Sequence, residues 1–185
     1  MEYLDIVDRN GIPTGRIVER EKAHAEGVMH RTSHVWLLRN HDNHIEILLQ
    51  KRCDSKESFP GCYDISSAGH IPAGVDFAPS AVRELKEELG IEVTENELVF
   101  CGDRTIIWDD EFYGKPFHDR QYSRVFALWC DLEESEFNLQ EEEVSSVLWM
   151  ELDKAITAVN ENIINHCICP EELQMVKNIL LGEAK

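Results

Sequence analysis

Hydrophobic positions along this chain change period several times, and each change marks an element. Near the start Leu4, Ile6 and Val7 precede an Asp8-Arg9-Asn10-Gly11 turn signal and Ile17-Val18 follow it, which predicts a two-stranded hairpin. Residues 34–38 and 45–49 are apolar runs on either side of the polar His41-Asp42-Asn43-His44, and they predict two buried strands of one sheet. Pro60-Gly61 then breaks the chain. Between 78 and 89 the apolar side chains fall at 78, 81, 82, 85 and 89, the spacing of an amphipathic helix, and Gly90 supplies a left-handed stop. The runs 98–108, 124–130 and 144–150 are rich in Val, Phe, Leu and Trp and predict further strands. Helical spacing returns at Leu152, Ile156 and Val159, then at Leu173, Val176, Ile179 and Leu180 behind a Pro170 suited to a first helical turn.

Strands first, one helix in the middle and helices last predict an α/β fold with a mixed sheet between helices. At 185 residues the chain suits one domain, 1–185. Its 43% hydrophobic and 29% charged residues argue against disorder and disulfide-dense miniature folds. Cys53, Cys62, Cys101, Cys130, Cys167 and Cys169 are scattered and no signal-peptide pattern opens the chain, so free thiols and a cytoplasmic location are expected. Cys167-x-Cys169 beside His166 lacks the spacing of a zinc site. No apolar run approaches the roughly 18 residues of a membrane-spanning helix, so no membrane partner is expected.

Charge changes the picture more. The formal net charge of -18 repels phosphate backbones, which disfavours stable nucleic-acid binding. An anionic substrate would need a divalent metal, helped by a few local Lys and Arg, to bring it in. The central helix offers a place for one. Successive helical residues advance by about 100°, so Glu84, Glu87 and Glu88 share a sector beside the apolar one of Ala81, Leu85 and Leu89. Like charges at these spacings repel, and a bound Mg²⁺ or Mn²⁺, which prefers carboxylate oxygens and takes substrate phosphate as further ligands, would relieve them. A solvated charged face is the plainer reading of such a run taken alone.

The wider string decides between them. Gly69, Arg83, Glu84, Leu85, Glu87, Glu88, Gly90 and Ile91 stand at fixed spacing in a segment that resembles the Nudix box: a glycine, a spaced glutamate, then Arg-Glu-apolar-x-Glu-Glu-x-Gly-apolar. The resemblance implies a Nudix-like α/β/α sandwich with a loop-helix-loop motif. It assigns Arg83 to orienting the glutamates and Glu84, Glu87 and Glu88 to binding Mg²⁺ or Mn²⁺, these four being the catalytic set. One departure is Val75, where the family has its spaced glutamate, with Asp76 next door.

Upstream, Gln50-Lys51-Arg52, Lys56 and the segment 59–64 are similar to the subgroup related to isopentenyl-diphosphate isomerase, as are Asp8, Asn10, Gly15, His24, Gly27, His30 and Arg31. Lys51, Arg52, Lys56 and His70 are the expected substrate-binding residues, the cations supplying counter-charge to a diphosphate. The isomerases also resemble this chain at His24, His30 and His70. They carry a catalytic cysteine where this chain has Ala68 and a metal-site glutamate where it has Gln121, so isomerisation is the weaker alternative. A non-catalytic diphosphate-binding module is a third.

Metal-dependent hydrolysis of a diphosphate linkage in a nucleoside diphosphate derivative or related organic pyrophosphate is therefore expected, with a small-molecule substrate. A homodimer is an assembly the sequence leaves open. The chemistry needs a general base, and the resemblance implies a carboxylate on the box helix or a later loop, for which Glu88, Asp119 and the cluster Glu141, Glu142 and Glu143 are candidates. His30 and His34, at a strand start, read as structural hydrogen-bonding groups. Trp108, Phe112, Tyr113, Phe117 and Tyr122 could stack a base or fill the end of the sheet.

Overall fold

The computed structural model describes residues 1–56, 58–112 and 114–182. The opening hairpin forms as expected, with β1 (Tyr3–Val7) antiparallel to β2 (Pro13–Glu19). Asp8 holds its turn, Oδ1 accepting from the amides of Asn10 and Ile12. A helix that the apolar pattern does not disclose follows, α1 (Arg20–Glu26), stopped by Gly27 at φ 65°. Its sequence carries no apolar stripe; Ala23 buries against Leu4 and Val18 of the hairpin, and His24 turns inward.

The main sheet contains β3 (His30–His41), β4 (His44–Arg52), β5 (Tyr63–Asp64), β6 (Ser67–His70), β7 (Val99–Phe112), β8 (Lys115–Trp129) and β9 (Val144–Glu151). Its order is β5-β4-β3-β8-β7, with β6 paired to β3 and β9 to β4. β3 and β8 are parallel and the other pairs antiparallel, so the sheet is mixed. Between β3 and β4, Asp42 and Asn43 take positive φ, 49° and 64°, in a tight turn compatible with strand twist.

Strand alternation builds the layers, because successive side chains point to opposite faces. Val35, Leu37, Leu48, Phe126 and Leu128 face α2 (Phe77–Leu89), which contributes Phe77, Ala81, Leu85 and Leu89 to that core. Trp36, Leu38, Ile47, Leu49, Val125 and Ala127 face the other way, against Leu152, Ala155 and Val159 of α3 (Leu152–Asn160) and Leu173 and Val176 of α4 (Pro170–Leu180). This is the expected α/β/α sandwich. Each fully buried leucine contributes about 1.5–3 kcal/mol.

Two strands run further than their apolar stretches. β7 and β8 form one long hairpin whose outer end is polar, held by cross-strand pairs of Asp109 with His118 and Arg120. Such pairs lend support without hydrophobic periodicity. No helix among the described residues is long and apolar enough to cross a membrane.

Candidate active site

α2 begins at Asp76, whose side chain accepts from the Phe77 amide, and ends at Gly90 with φ 71°. Burial of Ala81, Leu85 and Leu89 fixes the helix rotation and therefore where its acids point. Arg83 lies between two of them, Nη2 donating to Glu84 Oε1 at 2.5 Å and Nη1 to Glu87 Oε2 at 2.6 Å. Glu84 lies against Gly69 of β6 so closely that a Cβ there would fall inside its side chain. Glu88 goes deeper still, 7% exposed, and Ser67 Oγ donates to its Oε2 at 2.7 Å.

Such packing disfavours charge. Burial pushes the Glu88 carboxyl up to about 8, with Glu84, Asp64 and Glu143 adding to the effect and the Ser67 hydroxyl opposing it. Burial also raises Glu84, against the pull of Arg83. A divalent cation suits this donor set: it is all oxygen, its charges repel one another, and Gly69 leaves Glu84 its room. Glu87 is more exposed and paired with Arg83. Among the described residues the ligand atoms of the three carboxylates do not all come within 4.8 Å of one another, and Glu88 is buried.

The predicted substrate cations are differently employed. Arg52 donates to Asp64 Oδ2 at 2.9 Å and to the Ser58 carbonyl, so it braces β4 against β5 and the loop before it. Lys56 is ion-paired with Glu143. Lys51 makes no ion pair among the described residues. Val75 packs against the core and its carbonyl accepts from Arg31 at 2.8 Å, while Asp76 caps the helix; neither replaces the spaced glutamate.

His70 joins a second cluster. Among the described residues, the group of His, Cys, Asp or Glu whose ligand atoms converge within 4.8 Å is His24, His30 and His70. Burial, with the repulsion of His30, lowers His24 to about 4 and also depresses His30 and His70, so the three rings are neutral. Asp119 lies beside His24 and not by the glutamates, and burial pushes its carboxyl up to about 6. His34 is separate, bonded to Glu172 at 2.8 Å, as a structural role requires. Of the aromatics, Phe117 stacks on His24 and packs with Trp108 and Phe112, Phe59 packs on Trp108 and Phe112, and Tyr122 leans on Phe77. Tyr113 lies outside the described residues. The sequence signals missed Ser67 and the convergence at His24, because each depends on pairing between distant strands.

Sheet, loop-helix-loop and carboxylate face together define a domain of the class the box resembles. The chain belongs to the NUDIX domain family, which matches residues 28–167. An uncharacterised Nudix hydrolase of Clostridium acetobutylicum is 34% identical over 88% of this chain and 76% of its own length. A Deinococcus radiodurans protein of known structure superposes with a TM-score of 0.67 at 16% identity, covering 95% of this chain and 98% of that one. The NUDIX domain of Shewanella oneidensis NrtR, solved with ADP ribose, gives 0.59 at 14% identity over 90% and 100%. Family and relatives make the chain a pyrophosphohydrolase. They do not support the narrower likeness to the isomerase subgroup, in keeping with Ala68 and Gln121.

Proposed function

We propose that this chain hydrolyses the diphosphate linkage of a nucleoside diphosphate derivative or related organic pyrophosphate, with Mg²⁺ or Mn²⁺ held by Glu84, Glu87 and Glu88. The observation that carries this reading is the crowding of Glu84 and Glu88, with Asp64 and Glu143 near, into a partly buried acidic site. When bound there, the ion supplies positive charge to the phosphoryl oxygens and the leaving phosphate and acidifies the attacking water.

The chain's own residues do the rest. Arg83 sets the positions of Glu84 and Glu87. Ser67 fixes one oxygen of Glu88 and leaves the other for the site. Glu88 and Glu143 are the bases this reading favours, since Asp119 lies beside His24 and Glu141 and Glu142 are exposed. Among the described residues, Lys51 is the cation of the predicted cluster that makes no ion pair and would meet phosphate.

The test is a phosphate-release screen over nucleoside di- and triphosphates, dinucleoside polyphosphates, ADP ribose and other nucleotide sugars, coenzyme A and isoprenoid diphosphates, with Mg²⁺ or Mn²⁺. Metal-dependent cleavage of at least one compound is expected. Absence of any cleavage by folded protein would overturn the proposal.

A further inference from the structure

We propose that Gln50 is a further catalytic residue of the glutamate site, its side-chain oxygen accepting a hydrogen bond from the water that attacks phosphorus. Such a role rests on the hydrolase reading above and adds to it a neutral group from β4. Leu48 lies fully buried in the core under α2, and side chains alternate along a strand, so Gln50 is turned to the same face. Its cross-strand neighbours are Asp64 on β5 and Val147 on β9. Val147 belongs to the α2 core and the charge of Asp64 is felt at Glu88, so Gln50 stands where that core gives way to the acids.

Gln50 follows the apolar run Ile47-Leu48-Leu49 and is itself buried, 4% exposed. Among the described residues its Oε1 has no hydrogen-bond partner. Buried polar atoms are almost always paired, because an acceptor taken out of water without a donor costs stability. A carbonyl oxygen can only accept, so its partner must bring an O–H, an N–H or a cation. Side-chain donors at this end of the sheet are already employed: Arg52 on Asp64 and Ser58, Lys56 on Glu143 and Ser67 on Glu88. The missing partner is therefore something the site takes in.

Water fits that place. Ser67 occupies Glu88 Oε2 and leaves Oε1 for the site. A water with one O–H directed at that oxygen and the other at Gln50 Oε1 has both hydrogens committed, so its lone pairs point away from β4 and toward phosphorus. On attack the water oxygen bonds to phosphorus, the bridging P–O bond breaks, and the displaced phosphate leaves with the electron pair. The proton passes to the carboxylate base, Glu88 in this arrangement, while the Gln50 amide gains nothing and serves by orientation. Asp64 does not substitute for Gln50, because its two oxygens already accept from Arg52 and from the Ile65 amide. An apolar residue would suit a position of this burial better, so a glutamine here trades stability for function.

The experiment compares the full wild-type chain with Gln50→Met and Gln50→Leu, which keep most of the bulk and remove the oxygen. Without metal, both variants should melt at or above the wild-type temperature. On the compound that wild type cleaves in the screen, kcat should fall about 10²-fold, with KM and the Mg²⁺ concentration for half-maximal rate changed less than about twofold. A lower melting temperature in both variants with kcat per folded molecule unchanged would mean that Gln50 serves packing, and overturns the proposal. So does wild-type kcat in both variants at unchanged stability. A Mg²⁺ requirement raised more than about tenfold would make Gln50 a metal ligand and overturn the role toward water. Wild-type protein that cleaves nothing defeats the hydrolase reading and this role with it, whereas an active wild type matched by both variants defeats the role of Gln50 alone.

Discussion

The acids of the glutamate face come from one stretch of α2, whereas the histidine pocket draws on α1, β3 and β6, and the two lie on either side of Gly69-His70. Glu84, Glu87 and Glu88 crowd like charges together, so that site stores repulsion and is held by Arg83 and Ser67. The histidines are neutral, and what they lack is not counter-charge but partners for buried lone pairs. One site is built by helical periodicity and the other by strand register. The comparison teaches that two polar clusters a residue apart on β6 can be built by different means, one from carboxylates held by Arg83 and Ser67 and the other from buried neutral rings.

The sharpest way to break the comparison is to remove a carboxylate from one side only. Glu88→Gln keeps the volume and an acceptor for Ser67, and Glu87→Gln keeps an exposed polar group, so both should fold. Each should lower turnover roughly 10³-fold or more, about 4 kcal/mol at the transition state, measured on the substrate found by the screen. Near-normal rates in both would remove the metal role from α2.

Behind the histidine pocket lies a buried network whose loss should be felt in stability. Fully buried Glu172 of α4 accepts from Trp36 and Arg104 and meets His34, which contacts Thr32 near Gln121 and Ser123. Burial opposes the charge on Glu172, but His34 and Arg104 outweigh it and hold the carboxyl below its usual range. Burial likewise opposes protonated His34, yet Glu172, with Asp64, raises it against Arg104. The depressed carboxyl contributes stability above about pH 4.5, lost as pH falls through its folded value. The raised imidazole contributes fully below about pH 6.5, lost as pH rises through its folded value. Glu172→Gln should cost about 3 kcal/mol between these limits and flatten the pH dependence of chemical denaturation. An unchanged profile would show that the pair contributes nothing to it.

The same contrast decides what the sequence discloses. α2, its stop at Gly90 and its acidic sector are legible because periodicity, capping and spacing are local. The layers are legible too, since residues 35–38 alternate between two cores. α1 is not, because REKAHAE has no apolar face and folds on the strength of two inward residues. The outer half of the β7–β8 hairpin rests on Asp109, His118 and Arg120, which lie outside the strands the apolar runs predict. Arg52 and Lys56 illustrate the limit most plainly: basic residues suited to phosphate are taken by Asp64, Ser58 and Glu143, partners that only folding brings near.

Gly69→Ala tests the boundary between the clusters. The added Cβ meets the end of the Glu84 side chain, which can swing away, so the melting temperature should move little. Glu84 then leaves its position, and a misplacement of about 1 Å costs on the order of 10²-fold in rate. Equal loss of stability and rate would instead mean that the glycine serves only packing.

Arg83→Ala is the smallest change and separates orientation from charge. The guanidinium bridges Glu84 and Glu87 on the more exposed side of the helix, where its ion pairs add at most about 1 kcal/mol to stability. Its removal frees both carboxylates to rotate and raises their mutual repulsion, which a bound divalent ion can partly replace. The expected result is a fall in turnover of about tenfold at saturating metal and a larger one at limiting metal, since an orienting partner tunes ligand position more than it supplies binding. Arg83→Lys should recover only part of the loss, because one ammonium cannot form both arms of the fork. Metal titrations of the rate for the three proteins check this: parallel curves displaced only in height would assign Arg83 to substrate contact instead of ligand positioning.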